Sequence, residues 1–327
     1  MNREATIEHF MKNPNVTVLI VGAGVNGIGT FRDLALQGVD VLLVDKGDYC
    51  SGASSASSHM VHGGIRYLEN GEFRLVREAV RERNLLIEKA PHLVKPLPTV
   101  FPIFKIFSGL FNAPFKFLGL LDKPSERGAI VIKVGMTVYD MYTSEQQTVP
   151  KHKFAGRRAS LKKFPKLNPK VRYTGTYFDG AMPSPERICI ELIRDTLAAS
   201  DKAFAANYVR ADRVEGKRVV LVDELTEEQF SVIPEVVINA SGPWIDFTNF
   251  ALGSQTQFIG GTKGSHLVLD HPELRDQIKG HEFFFEHKDG RIVLIFPLAD
   301  KVMVGSTDIR VNDPDLSLIH ISEPTRL

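Results

Sequence analysis

Cysteine, long apolar runs and charge of one sign are all scarce in this sequence. Among 327 residues only Cys50 and Cys189 are cysteines, too few for a disulfide framework and suited to a reducing compartment. Forty basic residues stand against 39 acidic ones, so no global field recruits nucleic acid. Nowhere do about 18 apolar residues run together, so no spanning helix is expected. Met1–Asn15 is polar and lacks an apolar core, so no signal peptide is expected there. There is no internal repeat, and no metal site is expected. A chain of this length buries a large core and suggests two domains, or one large domain with an inserted unit.

What the chain does have begins at Val16–Thr30, VTVLIVGAGVNGIGT. Val16 to Val21 has the apolar, β-branched composition of a strand buried on both faces. It opens into Gly22, Gly24 and Gly27, spaced G-x-G-x-x-G around Asn26. In that spacing the first glycine allows a tight turn, the second lets backbone approach a pyrophosphate, and the third lets a helix pack close to the strand. Ile28, Phe31 and Ala35 then recur at helical spacing, and Gly38 stands where a helix ends. The unpaired N–H groups of that helix and its dipole favour a diphosphate. A second strand, Val39–Val44, delivers Asp45 about 20 residues past the loop, where a carboxylate bonds a ribose hydroxyl and disfavours a 2′-phosphate.

The next stretch is more specific. Ser51–Glu69 holds five serines in eight residues, among them Ser54, Ser55 and Ser57, then His62, Gly63, Gly64, Arg66 and Tyr67. Short hydroxyls and bare backbone line a phosphate or a flat ring without steric conflict. A helix is expected over Glu72–Glu88 and another over Pro185–Ser200, the latter burying Ile188, Leu192 and Ile193. Ala203–Val209, Arg218–Val222 and Glu235–Asn239 read as strands, with a turn at Glu215–Lys217. The last strand leads into Ala240, Ser241 and Gly242, small residues where backbone must come close to a cofactor. Gln257–Asp308 reads as an antiparallel meander of Lys263–Leu269, Glu282–Glu286, Arg291–Pro297 and Val302–Gly305, with Asp289-Gly290 as a hairpin turn.

Two segments suggest a surface role. Leu97–Leu121 is apolar and aromatic, with Phe104, Phe107, Phe111 and Phe115 on one helical face and Lys105 and Lys116 on another. That is the outline of an interfacial amphipathic segment, although Pro102 and Pro114 deny it one long helix. Lys151–Arg172 carries nine Lys/Arg and no acid, with Phe154, Leu161, Phe164 and Leu167 expected to fold onto something.

Together, the Gly22 loop, SSASSHMVHGGIRYLE, FRLVREA at Phe73–Ala79, NASGPW at Asn239–Trp244, KGSH at Lys263–His266 and GSTD at Gly305–Asp308 resemble one family. It is the FAD-dependent glycerol-3-phosphate dehydrogenases, membrane-associated flavoenzymes that pass electrons to quinone. The resemblance runs from Val16 to about Pro314. It implies an α/β fold: a Rossmann-like FAD-binding domain (14–92 and 182–256) with an inserted mixed or antiparallel β-sheet cap (93–181 and 257–315) for substrate. It further implies glycerol 3-phosphate as substrate, dihydroxyacetone phosphate as product, quinone as acceptor, and peripheral attachment to the cytoplasmic face of the membrane; a homodimer is compatible with it. Oxidising a secondary alcohol needs a base for the hydroxyl proton, and a phosphorylated substrate needs a cation clamp. On this resemblance Arg66 and Tyr67 receive the phosphate, His266 is the base, and His62 shapes the flavin site.

Three other readings remain at this stage: another two-domain FAD oxidoreductase acting on amino or hydroxy acids, a non-catalytic FAD-binding fragment, and a plain NAD-dependent dehydrogenase, in which the serine and HGG block has no place. Leu316–Leu327, LSLIHISEPTRL, matches no element of the family and resembles sequencing-adapter read-through. The expectation is therefore a truncated family member with a spurious tail over 316–327, lacking a second phosphate-binding arginine and the segment that closes over the flavin. Turnover is thus expected of the full-length parent and not of the chain as given.

Overall fold

The structure is a computed structural model, and it describes residues 2–108, 128–143, 148–286 and 292–316. The chain forms two compact units.

The first unit comprises Met1–His59, Ser184–Gly261 and Val311–Leu316. Its sheet is built on β1 (Asn15–Val21), where Leu19 and Ile20 are wholly buried, as their unbroken apolar run dictates. β1 pairs in parallel with β2 (Val41–Val44) on one side and with β10 (Gln229–Asn239) on the other. The full order is β7 (Ala203–Ala206), β2, β1, β10, β9 (Arg218–Asp223), β8 (Val209–Glu215). β10 is longer than the expected Glu235–Asn239 because it serves two partners. Gln229–Val232 runs antiparallel to β9, and from Ile233 onward the strand runs parallel to β1. The helix Val25–Leu36 buries Ile28, Phe31 and Ala35 as their spacing predicts. Complete burial of Ile28 and Phe31 contributes about 1.5–3 kcal/mol each. The helix Pro185–Ala199 buries Ile188, Cys189, Ile193 and Thr196, with Leu192 only half-buried. The stripe therefore runs one position away from Leu192, and the Cys189 and Cys50 sulfurs lie 3.2 Å apart as free thiols.

The second unit comprises Met60–Pro183 and Thr262–Arg310. Its sheet runs β12 (His266–Leu269), β15 (Lys301–Gly305), β14 (Ile292–Leu298), β13 (Glu282–Glu286), β4 (Lys95–Ile103), β6 (Tyr173–Ala181), β3 (Met60–Val61), with β5 (Lys153–Gly156) also on β6. Pairing is antiparallel except where β13 meets β4, so the sheet is mixed. A short pair, β11 (Thr262–Lys263) with β16 (Ile309–Arg310), stands apart from it. The chain passes into this unit at His59 rather than at 92. The reason is packing: the helix Phe73–Lys89 lays Val76 and Val80 on Met136, Tyr139 and Tyr177. β6 and the helix Ala129–Thr143, which carries Met136 and Tyr139, have no counterpart in the sequence reading.

The first third of Leu97–Leu121 is a correction. Leu97–Ile103 belongs to β4, with Leu97, Val100 and Ile103 buried, and is not part of an amphipathic helix. Prolines 96, 98 and 102 permit this because alternate residues send their N–H groups to the same neighbour, so prolines of one parity deplete one side only. Phe104 and Phe107 follow, exposed; Phe111 and Phe115 lie outside the described residues, as do Asp289-Gly290 and 317–327. In Lys151–Arg172 all nine basic residues are exposed, while Phe164 is buried on Phe283 and Val100 with Leu167 beside it. Among the described residues no helix is long and apolar enough to cross a membrane.

Candidate functional site

In the first unit the glycine turn has the geometry its spacing requires. Gly22 has φ +108°, and a Cβ there would meet Ala240 O at 2.5 Å. A Cβ on Gly27 would lie 1.8 Å from Gly22 O, so the helix can approach the strand only through glycine. Gly24 caps the helix without a side-chain hydrogen bond, and Asn26 is exposed in the first turn. Ser54 joins the serine run to this end, its Oγ accepting the Val25 N–H at 3.0 Å. Ser55 and Ser57 are half-buried in the same loop, their hydroxyls on Gly52 O and the His59 N–H. At the far end of β10, Asn239 organises the next turn: its Oδ1 accepts from Ser241 N and Oγ, and its Nδ2 donates to Ile245 O. Ala240 donates to Val21 O, and Gly242 has φ +57°. Ala240 and the glycine loop are thus adjacent.

Asp45 follows β2 and faces that loop. Its Oδ2 accepts the Ala23 N–H at 2.6 Å and its Oδ1 the Gly47 N–H at 2.8 Å. Burial pushes its carboxyl above the usual range, with the Gly47 and Ala23 N–H groups pulling the other way.

In the second unit, β3 leads into His62, exposed, and then Gly63 and Gly64, both buried. Gly64 has φ +69°, and the Tyr67 ring fills the space a Cβ would take, at 2.4 Å. Arg66 and Tyr67 lie on the 3-10 turn Ile65–Asn70; Tyr67 is 39% exposed, and the Arg66 side chain lies outside the described residues. His266 opens β12 opposite Gly305, where its ring occupies the space beside the missing side chain: a Cβ on Gly305 would meet His266 Cδ2 at 2.4 Å. Ser265 and Thr307 tie the two strand ends by a 2.9 Å bond from Ser265 N to Thr307 Oγ1 and a return bond from Thr307 N to Ser265 O. The structure thus gathers the glycine loop, Asp45, the serines and Ala240–Gly242 in one unit, and His62–Tyr67 with His266 in the other.

The sequence reading missed two buried acids of the second unit, Asp179 and Glu282. Asp179 bonds the Gly63 N–H. The available signal is weak, because the strand that carries it, Tyr173–Ala181, is itself rich in Thr and Gly. Glu282 sits wholly buried in β13, bonded to Thr99 Oγ1 at 2.7 Å, and burial pushes its carboxyl up to about 8. Because that value lies above the unfolded one, the folded chain holds a proton that the unfolded chain loses, so stability falls as pH rises from about 4.5 toward 8. Glu282→Gln should remove this decline. It should match the parent near pH 5 and exceed it near pH 8 by roughly 2 kcal/mol, less than the whole shift allows because a buried carboxylate draws in water. Thermal melts across that range check it.

Residues 17–323 match the family described as FAD dependent oxidoreductase. A glycerol-3-phosphate dehydrogenase of Synechocystis sp. is 36% identical over 320 residues, covering 92% of this chain and 53% of that one. The chain therefore spans about half the length of the curated relatives it matches. Among solved structures, the glycerol-3-phosphate dehydrogenase from Bacillus halodurans complexed with FAD superposes with TM-score 0.67 at 22% identity, over 95% of this chain and 51% of that one. The glycine oxidase from Geobacillus kaustophilus gives 0.60 at 19% identity, over 91% and 73%. The same two-sheet fold thus serves proteins named for different substrates, so fold alone does not choose one. With a strand, glycine turn, helix and acid in the required geometry, and a family match across nearly the whole sequence, the chain belongs to the FAD-dependent oxidoreductases.

Proposed function

We propose that this chain binds FAD and provides the cofactor and substrate residues of an enzyme that oxidises glycerol 3-phosphate to dihydroxyacetone phosphate. The observation that carries the cofactor part is the Ser54–Val25 bond: it sets a hydroxyl-bearing loop on the N-terminus of a helix whose dipole suits a diphosphate. The glycines admit backbone where a Cβ cannot go, so the residues fit FAD. In this reading Gly22, Gly24, Asn26 and Gly27 hold the diphosphate and Asp45 the ribose. Ser54, Ser55, Ser57, His62, Gly63, Gly64 and Ala240–Gly242 line the rest of the cofactor. FAD, when bound, supplies the two-electron acceptor.

The chain's own residues do the remaining work. Arg66 and Tyr67 receive the substrate phosphate, for which a planar guanidinium fork is well suited. His266, held against Gly305, takes the hydroxyl proton. The choice of glycerol 3-phosphate rests on the 36% identical relative and on the HGG–RYLE and KGSH blocks. Electrons pass on to a quinone, and the enzyme docks on the inner face of the cytoplasmic membrane, with exposed Phe104 and Phe107 as its apolar contact.

Anaerobic addition of glycerol 3-phosphate to the FAD-loaded full-length parent, with amino acids and other hydroxy acids in parallel, tests this. Bleaching of the flavin by glycerol 3-phosphate alone supports the reading, and bleaching by an amino acid instead overturns it. Asp45→Ala should weaken FAD binding by about 1–3 kcal/mol, through loss of an ionic acceptor for the ribose and of the brace on Ala23 N. Fluorescence titration with FAD measures this, and an unchanged affinity would place the ribose elsewhere.

A further inference from the structure

The Gly63 amide is held by a buried charge cluster. Asp179 is wholly buried in β6, and its Oδ1 takes three donors: Gly63 N–H at 3.0 Å, Arg83 Nη1 at 3.0 Å and the Tyr139 hydroxyl at 2.5 Å. Arg83, also wholly buried, is braced in turn by Phe178 O at 2.9 Å and by Asn84 Oδ1 at 2.8 Å. Burial pushes the Tyr139 phenol well up, so the ring donates as a neutral hydroxyl. A buried ion pair is a poor way to gain stability, since apolar residues of equal volume serve as well or better. What it adds here is a fixed acceptor for one backbone amide. The seat is tight: a Cβ on Gly63 would lie 2.2 Å from Tyr139 Oη and 2.5 Å from Val80 Cγ2.

We propose that Asp179, locked by Arg83 and Tyr139, is a positioning residue that fixes the His62–Gly64 turn, and through it the start of the turn carrying Arg66 and Tyr67. What the turn is positioned for, flavin and substrate phosphate, rests on the function proposed above; the clasp itself does not. Asp179→Asn keeps the shape and one acceptor but loses the charge facing Arg83, and Tyr139→Phe removes a single donor.

Hydrogen exchange in the full chain reads the clasp directly. Asp179→Asn should speed exchange at Gly63 by about tenfold, the loss of one charge-assisted bond, and leave the Gly22–Gly27 loop unchanged. In FAD-loaded protein the same variant should raise the Kd for inorganic phosphate, read from the flavin difference spectrum, by about tenfold, while ADP affinity measured on the flavin-free protein stays within about twofold. Tyr139→Phe should give the same pattern at smaller size, and decides the matter if Asp179→Asn does not fold. Parent-like exchange at Gly63 in the folded variants overturns the clasp. Faster exchange with unchanged phosphate affinity overturns its positioning role. A parent chain that takes up no FAD overturns instead the proposed function, and the exchange result then stands by itself.

Discussion

Replacing Gly27 by alanine should abolish measurable FAD binding. The added methyl would land 1.8 Å from Gly22 O and 3.3 Å from Ala240 Cβ. The nearer contact is with backbone, so no side-chain rotation relieves it. The helix Val25–Leu36 must instead move off β1, and its N-terminal N–H groups leave the place where a diphosphate sits. Overpacking of this kind costs about 1–3 kcal/mol in stability, and the displaced helix end should lower FAD affinity by at least about 10²-fold. Gly29→Ala is the control two residues away. Nothing lies within 4 Å of its Cβ, so it should leave FAD binding intact and stabilise the helix by about 0.5–1 kcal/mol. Fluorescence titration and circular dichroism separate the two effects; equal FAD affinity for both variants would remove the glycine turn from the cofactor site.

In the full-length parent, His266→Ala should slow flavin bleaching by glycerol 3-phosphate by roughly 10²–10⁴, the range for loss of a general base. The ring is seated by the bare backbone of Gly305, and the Ser265–Thr307 bonds fix the strand ends on either side. The variant should therefore fold and retain FAD, since the glycine loop belongs to the other compact unit. Stopped-flow absorbance under saturating substrate isolates the chemical step. A bleaching rate within about threefold of the parent would assign the proton to another group.

The parts of the first unit that positioned a dinucleotide were legible because each is a local rule. A β-branched run makes β1, the glycine spacing makes the turn, and Ile28, Phe31 and Ala35 make one helix face. The second unit was less legible because its order is set by distant pairings. β4 was hidden by prolines and phenylalanines that resemble a surface helix, and β6 by Thr, Gly and Asp within a strand. Both strands become recognisable only through their shared register, from Lys95 opposite Ala181 to Ile103 opposite Tyr173. Asp179 was missed for the same reason, because its partners Gly63, Arg83 and Tyr139 lie 116, 96 and 40 residues away. Arg66 and Tyr67 were reached from a motif, and the described geometry adds only the seating of Tyr67 against Gly64.

The visible absorption spectrum of the chain, taken after incubation with FAD and removal of free cofactor, tests the central claim most directly. The account predicts a flavin spectrum that persists at about one FAD per chain, is released on denaturation, and is lost in Gly27→Ala. A parent chain that stays colourless, with no FAD recovered when it is denatured, would contradict it.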